Sequence, residues 1–507
     1  MEREREQMNI YNMIASLIDQ AVKVELIEKR DMLYVRNQVL AQLHLDSFPN
    51  ETLMIEENIP NLLESLTNYA VEAKLIEDVF DDKEMFQANV MNCFMPRPSN
   101  VQQTFWDKYM EHSEVATNYF YELSKNSNYI QMKRIKKNVH FIAETIYGAL
   151  DITINLSKPE KDPEQIRREK EMKKPLDYPP CVLCIENEGY EGRIGYPARA
   201  NHRIVKVPLG EEQWYLQYSP YVYYNEHSIV LSEVHEPMQI SKQTFEQLLA
   251  FVEVFPHYFI GSNADLPIVG GSILNHNHYQ AGHYEFAMTR AKVAFNFALQ
   301  RYPTVTASIL QWPMTVIRLQ ATDKEKLVEA VHHIFQTWQS YEDREANIIP
   351  FTGDTPHNTI TPIVRYRDGQ FEFDVALRNN RTTVTYPMGI FHPHEDVHHI
   401  KKENIGLIEV LGLAILPARL IDELEIISEG LLNHEKEIPN IHADWVRELR
   451  ATYGELATKE ESEQIIQQEL GNKFVQVLTN ASVYKQTTEG KTALNRFIDR
   501  LNEEELQ

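Results

Sequence analysis

The amino-acid sequence predicts an α+β chain: two halves with antiparallel sheets, an N-terminal helical extension before them and helices after them. Three observations predict it. Apolar residues recur at helical spacing near the start, as in Ile10, Met13, Ile14, Leu17, Ile18 and Val22. The middle holds short runs rich in β-branched and aromatic residues, such as IVKVPL and WYLQYSPYVYY. A His-x-His pattern occurs at His276 and again at His392, 116 residues further on, which suggests a diverged duplication.

A chain of 507 residues exceeds what one core usually fills. Residues 1–150 read as a mainly helical accessory region, with further helical segments at roughly 32–43 and 101–125. Residues 157–178 are dense in charge and proline and read as a solvated connection. Residues 151–300 form the first half. Its strands lead into a helix whose buried face is Phe245, Leu248, Leu249, Val252 and Phe255, ended by Pro256. HYEFAM, residues 283–288, reads as a returning strand. Residues 301–420 form the second half. WPMTVIRLQ reads as a strand, and Thr322 with Glu325 as a capping box before the next helix. ITPIVRY and FEFDVAL pair through Asp368-Gly369, a tight-hairpin signal. Residues 421–507 read as helices, including LIDELEIISEGLL.

Composition excludes several classes. The start, MEREREQMNIYNM, lacks the apolar core of a secretory signal. The apolar stretch 405–421 is short for a membrane span and holds Glu409, Pro417 and Arg419, so it reads as a buried element. Three cysteines are too few for a disulfide scaffold of this size. These features predict a cytoplasmic protein with no membrane partner. A net charge of −24 argues against nucleic acid, while local clusters of arginine still allow a small anionic ligand.

The chemistry concentrates between 181 and 280. Cys181 and Cys184 form a Cys-x2-Cys turn that can aim two thiolates at one ion, and His227 and His276 are candidates to complete a tetrahedral site. Buried thiols beside unrelated histidines, or a redox pair, are the alternatives. In the extended stretch His276-Asn277-His278-Tyr279-Gln280, positions 276, 278 and 280 face one side. His278 is then a candidate nucleophile toward phosphorus, and Gln280 offers an amide donor to a phosphate oxygen. The alternative is a polar strand edge. Gly261, Gly270 and Gly271 allow close backbone approach to an anion, and Asn263 and Ser272 add polar side chains. Arg193, Arg199, Asn201 and Arg203 make a candidate phosphate or nucleotide contact, against a plain charged loop.

CVLCIENEGYEGR, YPARANHR, QYSPYVYYNEHSIVL, FPHYFIGSNADLPIVGGSILNHNHYQAGHYEFAM and HPHEDVHHIKKENIGLIEVLGLAILPARL together resemble the galactose-1-phosphate uridylyltransferase family, in its divergent bacterial class. The resemblance covers nearly the whole chain and implies histidine-triad-like halves. It implies UMP exchange between UDP-glucose and galactose 1-phosphate, giving UDP-galactose and glucose 1-phosphate. His278 is then the nucleophile, Gln280 holds the nucleotidyl phosphate, and Cys181, Cys184, His227 and His276 bind a structural zinc, with no organic cofactor. A homodimer is implied on the same ground. Asn277 stands where the better-studied class has proline, which predicts a looser backbone. HPHED at 392–396 copies the family letters but carries Asp396 where the glutamine belongs, and is read as the non-nucleophilic counterpart in the second half. His398 and His399 beside it are candidates for another metal or structural site. The rival readings are a histidine-triad nucleotide hydrolase or phosphorylase, and a zinc-stabilised protein that binds a sugar nucleotide without catalysis.

Overall fold

Helical periodicity at the N-terminus becomes α1 (Glu2–Lys23), α2 (Met32–Gln42), α3 (Ile59–Glu72), α4 (Phe80–Asn92), α5 (Pro98–Tyr109), α6 (Ser113–Asn126) and the single turn α7 (Met132–Ile135). The computed structural model describes residues 2–156, 177–271 and 273–503, so Ser272 and most of the charged connection lie outside the described residues. Ile14, Leu17 and Ile18 of α1 are buried with Leu62, Leu63 and Leu66 of α3, as the spacing predicts. The segment 101–125 is two helices rather than one. The chain turns extended at His112, whose ring accepts a hydrogen bond from the amide of Glu114.

Strands β1 (Val139–Thr145) and β2 (Gly148–Ile154) form a small sheet with β15 (Leu413–Leu416). The main sheet contains β3 (Val205–Leu209), β4 (Glu212–Tyr218), β5 (Ser228–Ser232), β6 (Phe259–Gly261) and β7 (His278–Gly282) from the first half. The second half begins earlier than residue 301, since its edge strand is β8 (Val293–Phe297), and it adds β9 (Thr306–Leu310), β10 (Val316–Ala321), β13 (Asn358–Arg367) and β14 (Gln370–Asn379). The pairs β11 (Phe351–Thr352) and β12 (Thr355–Pro356) form a separate short hairpin. The order across the ten strands is β3-β4-β5-β7-β6-β13-β14-β10-β9-β8. Read from either edge, the sequence of connections is the same. The two halves are therefore related by an approximate two-fold axis between β6 and β13, where Gly261 pairs with Ile363.

One helix follows each inner strand pair: α8 (Lys242–Val254) leads from β5 to β6, and α9 (Lys324–Ser340) from β10 to β13. Both pack on one face of the sheet, where Phe245 meets Phe335 at 5.8 Å between ring centres. The outer edge at β3 is shielded by α5, since Gln102 exchanges two hydrogen bonds with the backbone of Lys206 as a strand would. The opposite face carries a second core that includes Trp312, Ile363, Leu407 and Leu411. This is where the apolar stretch 405–421 goes: it forms α10 (Leu407–Val410) and β15, largely buried. Among the described residues, no helix is long and apolar enough to cross a membrane. The chain ends in α11 (Leu420–Leu432), α12 (Ala443–Tyr453), α13 (Lys459–Ala481) and α14 (Thr488–Asn502).

Three local expectations need correcting. HYEFAM does not continue the strand. β7 stops at Gly282, where a Cβ would lie 2.6 Å from the ring of Tyr224, and the rings of Tyr284 and Phe286 then cluster around Tyr224. The helix cap is Asp323, whose carboxylate accepts from the amide of Lys326 at 3.0 Å, because β10 runs to Ala321 and leaves Thr322 outside the first turn. The third concerns HPHED, which follows β14 instead of lying on it. The hairpin signal holds: Asp368 and Gly369 both take positive φ, 53° and 76°, between β13 and β14.

Candidate active site and metal centre

β7 carries His278 and Gln280 on the sheet face away from the two helices, while Tyr279 and Ala281 point into the helix-side core. His278 is buried, and its Nδ1 lies 2.8 Å from the carbonyl of His276. A carbonyl only accepts, so Nδ1 carries the proton and Nε2 keeps its lone pair. Burial pushes the imidazole down to about 4, outweighing that hydrogen bond, so the ring is neutral near pH 7. A neutral, desolvated imidazole with one fixed tautomer is a ready nucleophile.

Two residues earlier, His276 turns its Nδ1 toward two sulfurs, 3.3 Å from Cys181 Sγ and 3.5 Å from Cys184 Sγ. Its Nε2 donates to the carbonyl of Ser232 at 3.0 Å, which fixes the tautomer from behind. The fourth member is His235, with Nδ1 3.0 Å from Cys184 Sγ. The four ligand atoms all lie within 4.8 Å of one another, a spacing suited to tetrahedral zinc. The Cys-x2-Cys turn is held by Asn187, whose amide donates to the carbonyls of Cys181 and Cys184 at 2.8 and 2.7 Å.

His227 is not a member of this group, and the sheet register gives the reason. β5 and β7 are antiparallel with Leu231 opposite His278, so His276 lies beyond the C-terminal end of β5. His235 follows that end, whereas His227 precedes the N-terminal end, about 16 Å away along a five-residue strand. Sequence reasoning missed His235. The signal was its place just past the strand that pairs with the segment starting at His276.

Asn277 does not loosen the backbone. Its N–H donates to the carbonyl of Glu236 at 2.7 Å, a bond that proline cannot make, and its carbonyl accepts from the amide of Ser232 at 3.1 Å.

The basic cluster divides. Arg203 is buried and directs its guanidinium to the carbonyls of Pro96, Ala200 and His202 and to Asn92, so it ties the helical region to the first half. Asn201 donates to the carbonyl of Ser127 at 2.9 Å, another such tie. Arg193 holds the carbonyl of Tyr178 and the hydroxyl of Tyr190. Arg199 sits with its guanidinium 5.3 Å from the ring centre of Tyr129, in a cleft of about 270 Å³. Phe80, Glu84 and Arg134 of the helical region line that cleft together with Tyr196, Asn201 and Tyr221.

Asn263 is buried against the glycine turn. A Cβ on Gly271 would lie 2.6 Å from its Nδ2, and its Oδ1 accepts from the amide of Leu407 at 2.9 Å. Its oxygen is thus engaged in packing the turn against α10.

The two-fold axis supplies the counterpart of the site. One row of paired residues runs Gln280, Gly261, Ile363, Asp374, so Gln280 corresponds to Asp374 and His278 to Glu372. HPHED is therefore not the second half's equivalent. Arg318 grips Asp374 through two hydrogen bonds of 2.7 and 2.8 Å, and Arg365 and Arg367 engage Glu372. Burial opposes the charge on Asp374, but Arg318 and Arg365 overcome it and hold the carboxyl at about 2. The histidines of 392–399 engage separately. His392 pairs with Asn404, His394 with the carbonyl of Ile390, His398 with the carbonyl of Pro393, and His399 packs by His442. Among the described residues, only Cys181, Cys184, His235 and His276 bring three or more such ligand atoms together.

Two family models match the chain in succession. Residues 25–237 match the model of the galactose-1-phosphate uridyl transferase N-terminal domain, and residues 251–447 that of its C-terminal domain. The chain is 47% identical to galactose-1-phosphate uridylyltransferase of Halalkalibacterium halodurans, over 98% of this chain and 100% of the relative. It is 49% identical to the Streptococcus mutans protein of that name, over 93% and 95% of the two chains. The Bacillus subtilis protein is 47% identical, over 97% and 98%. Yeast Ap4A phosphorylase Apa2 aligns with 65% of this chain and 90% of its own, at 12% identity and a TM-score of 0.33, too loosely to place any residue. With both domain models matched and nearly full-length relatives close to half identical, the chain belongs to the galactose-1-phosphate uridylyltransferase family.

Proposed function

We propose that the chain exchanges UMP between UDP-glucose and galactose 1-phosphate through a covalent uridylyl-His278. The observation that carries this reading is the fixed tautomer of His278, with Nδ1–H on the His276 carbonyl and the Nε2 lone pair free. Nε2 attacks the α-phosphorus of UDP-glucose, and the phosphoanhydride bond to glucose 1-phosphate breaks. A phosphate oxygen of galactose 1-phosphate then attacks the same phosphorus, the N–P bond breaks, and UDP-galactose leaves with the lone pair restored to Nε2. Both leaving groups are weakly basic, so neither step needs a general acid. Gln280 contributes a neutral donor to a phosphoryl oxygen. Arg199 is the cation of the basic cluster best placed to meet substrate, since it lines the cleft.

Cys181, Cys184, His235 and His276 are proposed to hold one zinc ion, since two thiolates and two imidazoles close a tetrahedron. A bound ion supplies structural anchoring: it fixes His276, whose carbonyl sets the tautomer of His278. The enzyme is read as cytoplasmic and, on the family resemblance, as a homodimer.

Brief incubation with UDP-glucose labelled in its α-phosphate tests the reading. Protein-bound label, released glucose 1-phosphate and discharge of the label onto galactose 1-phosphate are expected. Discharge to water alone would mark a hydrolase, and no protein-bound label at all would overturn covalent transfer.

A further inference from the structure

His227, displaced from the metal site, is held in place by other groups. It is 3% exposed, its ring is packed by Tyr223 and Tyr224, and its Nδ1 lies 2.7 Å from the carbonyl of Tyr221. Its backbone is pinned as well, through its amide to Tyr224 and its carbonyl to Ser219. A carbonyl partner requires the proton on Nδ1, so Nε2 presents a lone pair and nothing else. That Nε2 is buried and lacks an aligned hydrogen bond. The side chain beside it is Gln280. The register explains the meeting: Ile229, two residues after His227, pairs with Gln280, and Ser228 pairs with Ala281. Burial keeps the imidazole neutral, down to about 4, outweighing the bond to the Tyr221 carbonyl.

An amide can present either its oxygen or its NH2 to a neighbour, and the two ends have nearly the same shape. Toward a nucleotide phosphate the difference is large, because the NH2 donates while the oxygen repels. Gln280 is half-buried on the strand face away from the helices, and strand geometry alone does not choose between the ends of its amide. An acceptor-only neighbour does choose.

Given the reading of His278 and Gln280 as the UMP-transfer site, we infer that His227 is a positioning residue for Gln280. Its Nε2 takes one N–H of the amide, sets the amide's orientation and leaves the second N–H for a phosphoryl oxygen of the nucleotide. The buried acceptor also gains the partner that it lacks.

The test is a double-mutant cycle on the single-turnover rate of label transfer to His278, using the full chain and α-labelled UDP-glucose. His227→Phe keeps ring volume and removes the acceptor. In the otherwise unaltered chain it is expected to slow the covalent step about tenfold, the scale of one misdirected hydrogen bond, with little change in the half-saturating UDP-glucose concentration. In a Gln280→Ala background the same substitution is expected to have no further effect. Equal losses in both backgrounds, or a change confined to half-saturation, overturn the inference. If His227→Phe does not fold, His227→Gln is read the same way, because its amide both donates and accepts and so no longer dictates the orientation. Absence of label from the unaltered chain would overturn covalent transfer itself, and this inference with it. Label with additive losses overturns the role of His227 alone.

Discussion

His235 Nδ1 stands 3.0 Å from Cys184 Sγ, while His227, eight residues earlier, directs its Nδ1 to the carbonyl of Tyr221. This pair decides the metal prediction. Elemental analysis is expected to find about one zinc per chain, because the donor set closes one tetrahedron. Cys184→Ser and His235→Ala should each lose the metal and lower the melting temperature together, since metal affinity is coupled to folding. His227→Ala should keep the metal. Retention of full zinc by His235→Ala would refute the ligand set.

The nucleophile prediction separates His278 from the look-alike motif. His278→Ala should fold, keep its metal and take up no label from α-labelled UDP-glucose. His394→Ala should take up label, because His394 stacks on Tyr386, bonds the carbonyl of Ile390 and is followed by Glu395 and Asp396. Those carboxylates oppose an approaching phosphate. Label on a folded His278→Ala protein would place the chemistry elsewhere.

Two arginines four residues apart should fail in different ways. Arg203→Ala leaves four acceptors short of a donor, the carbonyls of Ala200 and His202 fully buried among them, so a stability loss of ~2–4 kcal/mol is expected in urea titrations. Arg199→Ala should unfold like the parent but lose ~1.5–3 kcal/mol in kcat/KM for UDP-glucose, the scale of a charge-assisted contact. Unchanged kinetics in Arg199→Ala would move the nucleotide away from the cleft.

Buried and half-buried histidines set an acid limit. Burial, aided for His257 by His283 and His112, holds that residue at about 3, and burial first of all holds His227 and His399 at about 4. In the unfolded chain each protonates near 6.5, so below that pH the unfolded state binds more protons. Stability is therefore lost as pH falls from about 6.5 toward 4, by up to ~1.4 kcal/mol per pH unit for each such histidine. The urea midpoint at pH 5 should lie below that at pH 7, and His257→Gln, which can still bond Ser113 and Thr117, should shrink the difference. Equal midpoints would contradict the assignment.

Local signals were legible where one short segment contained the whole cause. Asp368-Gly369 specified a turn with two positive φ angles, and LIDELEIISEGLL became α11 over its whole length. Cys181, Cys184 and His276 were legible because the chemistry needs them together. His235 was hidden because the choice between two histidines depends on which end of β5 faces His276, a matter of register. Register also hid the true counterpart of the site. Glu372 and Asp374 share no letters with His278 and Gln280, whereas HPHED shares many and lies off the strand. Arg203 and Asn201 looked like phosphate ligands because nothing in the sequence reveals that the carbonyls of Pro96 and Ser127 come within reach.

The single ladder that passes through Gly261 and Ile363 has a mechanical consequence. Neither half can rotate against the other without breaking backbone hydrogen bonds at the centre of the sheet, so the halves must melt as one block. A chain divided between β7 and β8 would leave β6 on one fragment and β13 on the other, each a freshly exposed interior edge with unpaired backbone groups. Such fragments would adhere to each other or to copies of themselves. The second half is thus the lateral support without which the strand carrying His278 would stand next to an open edge.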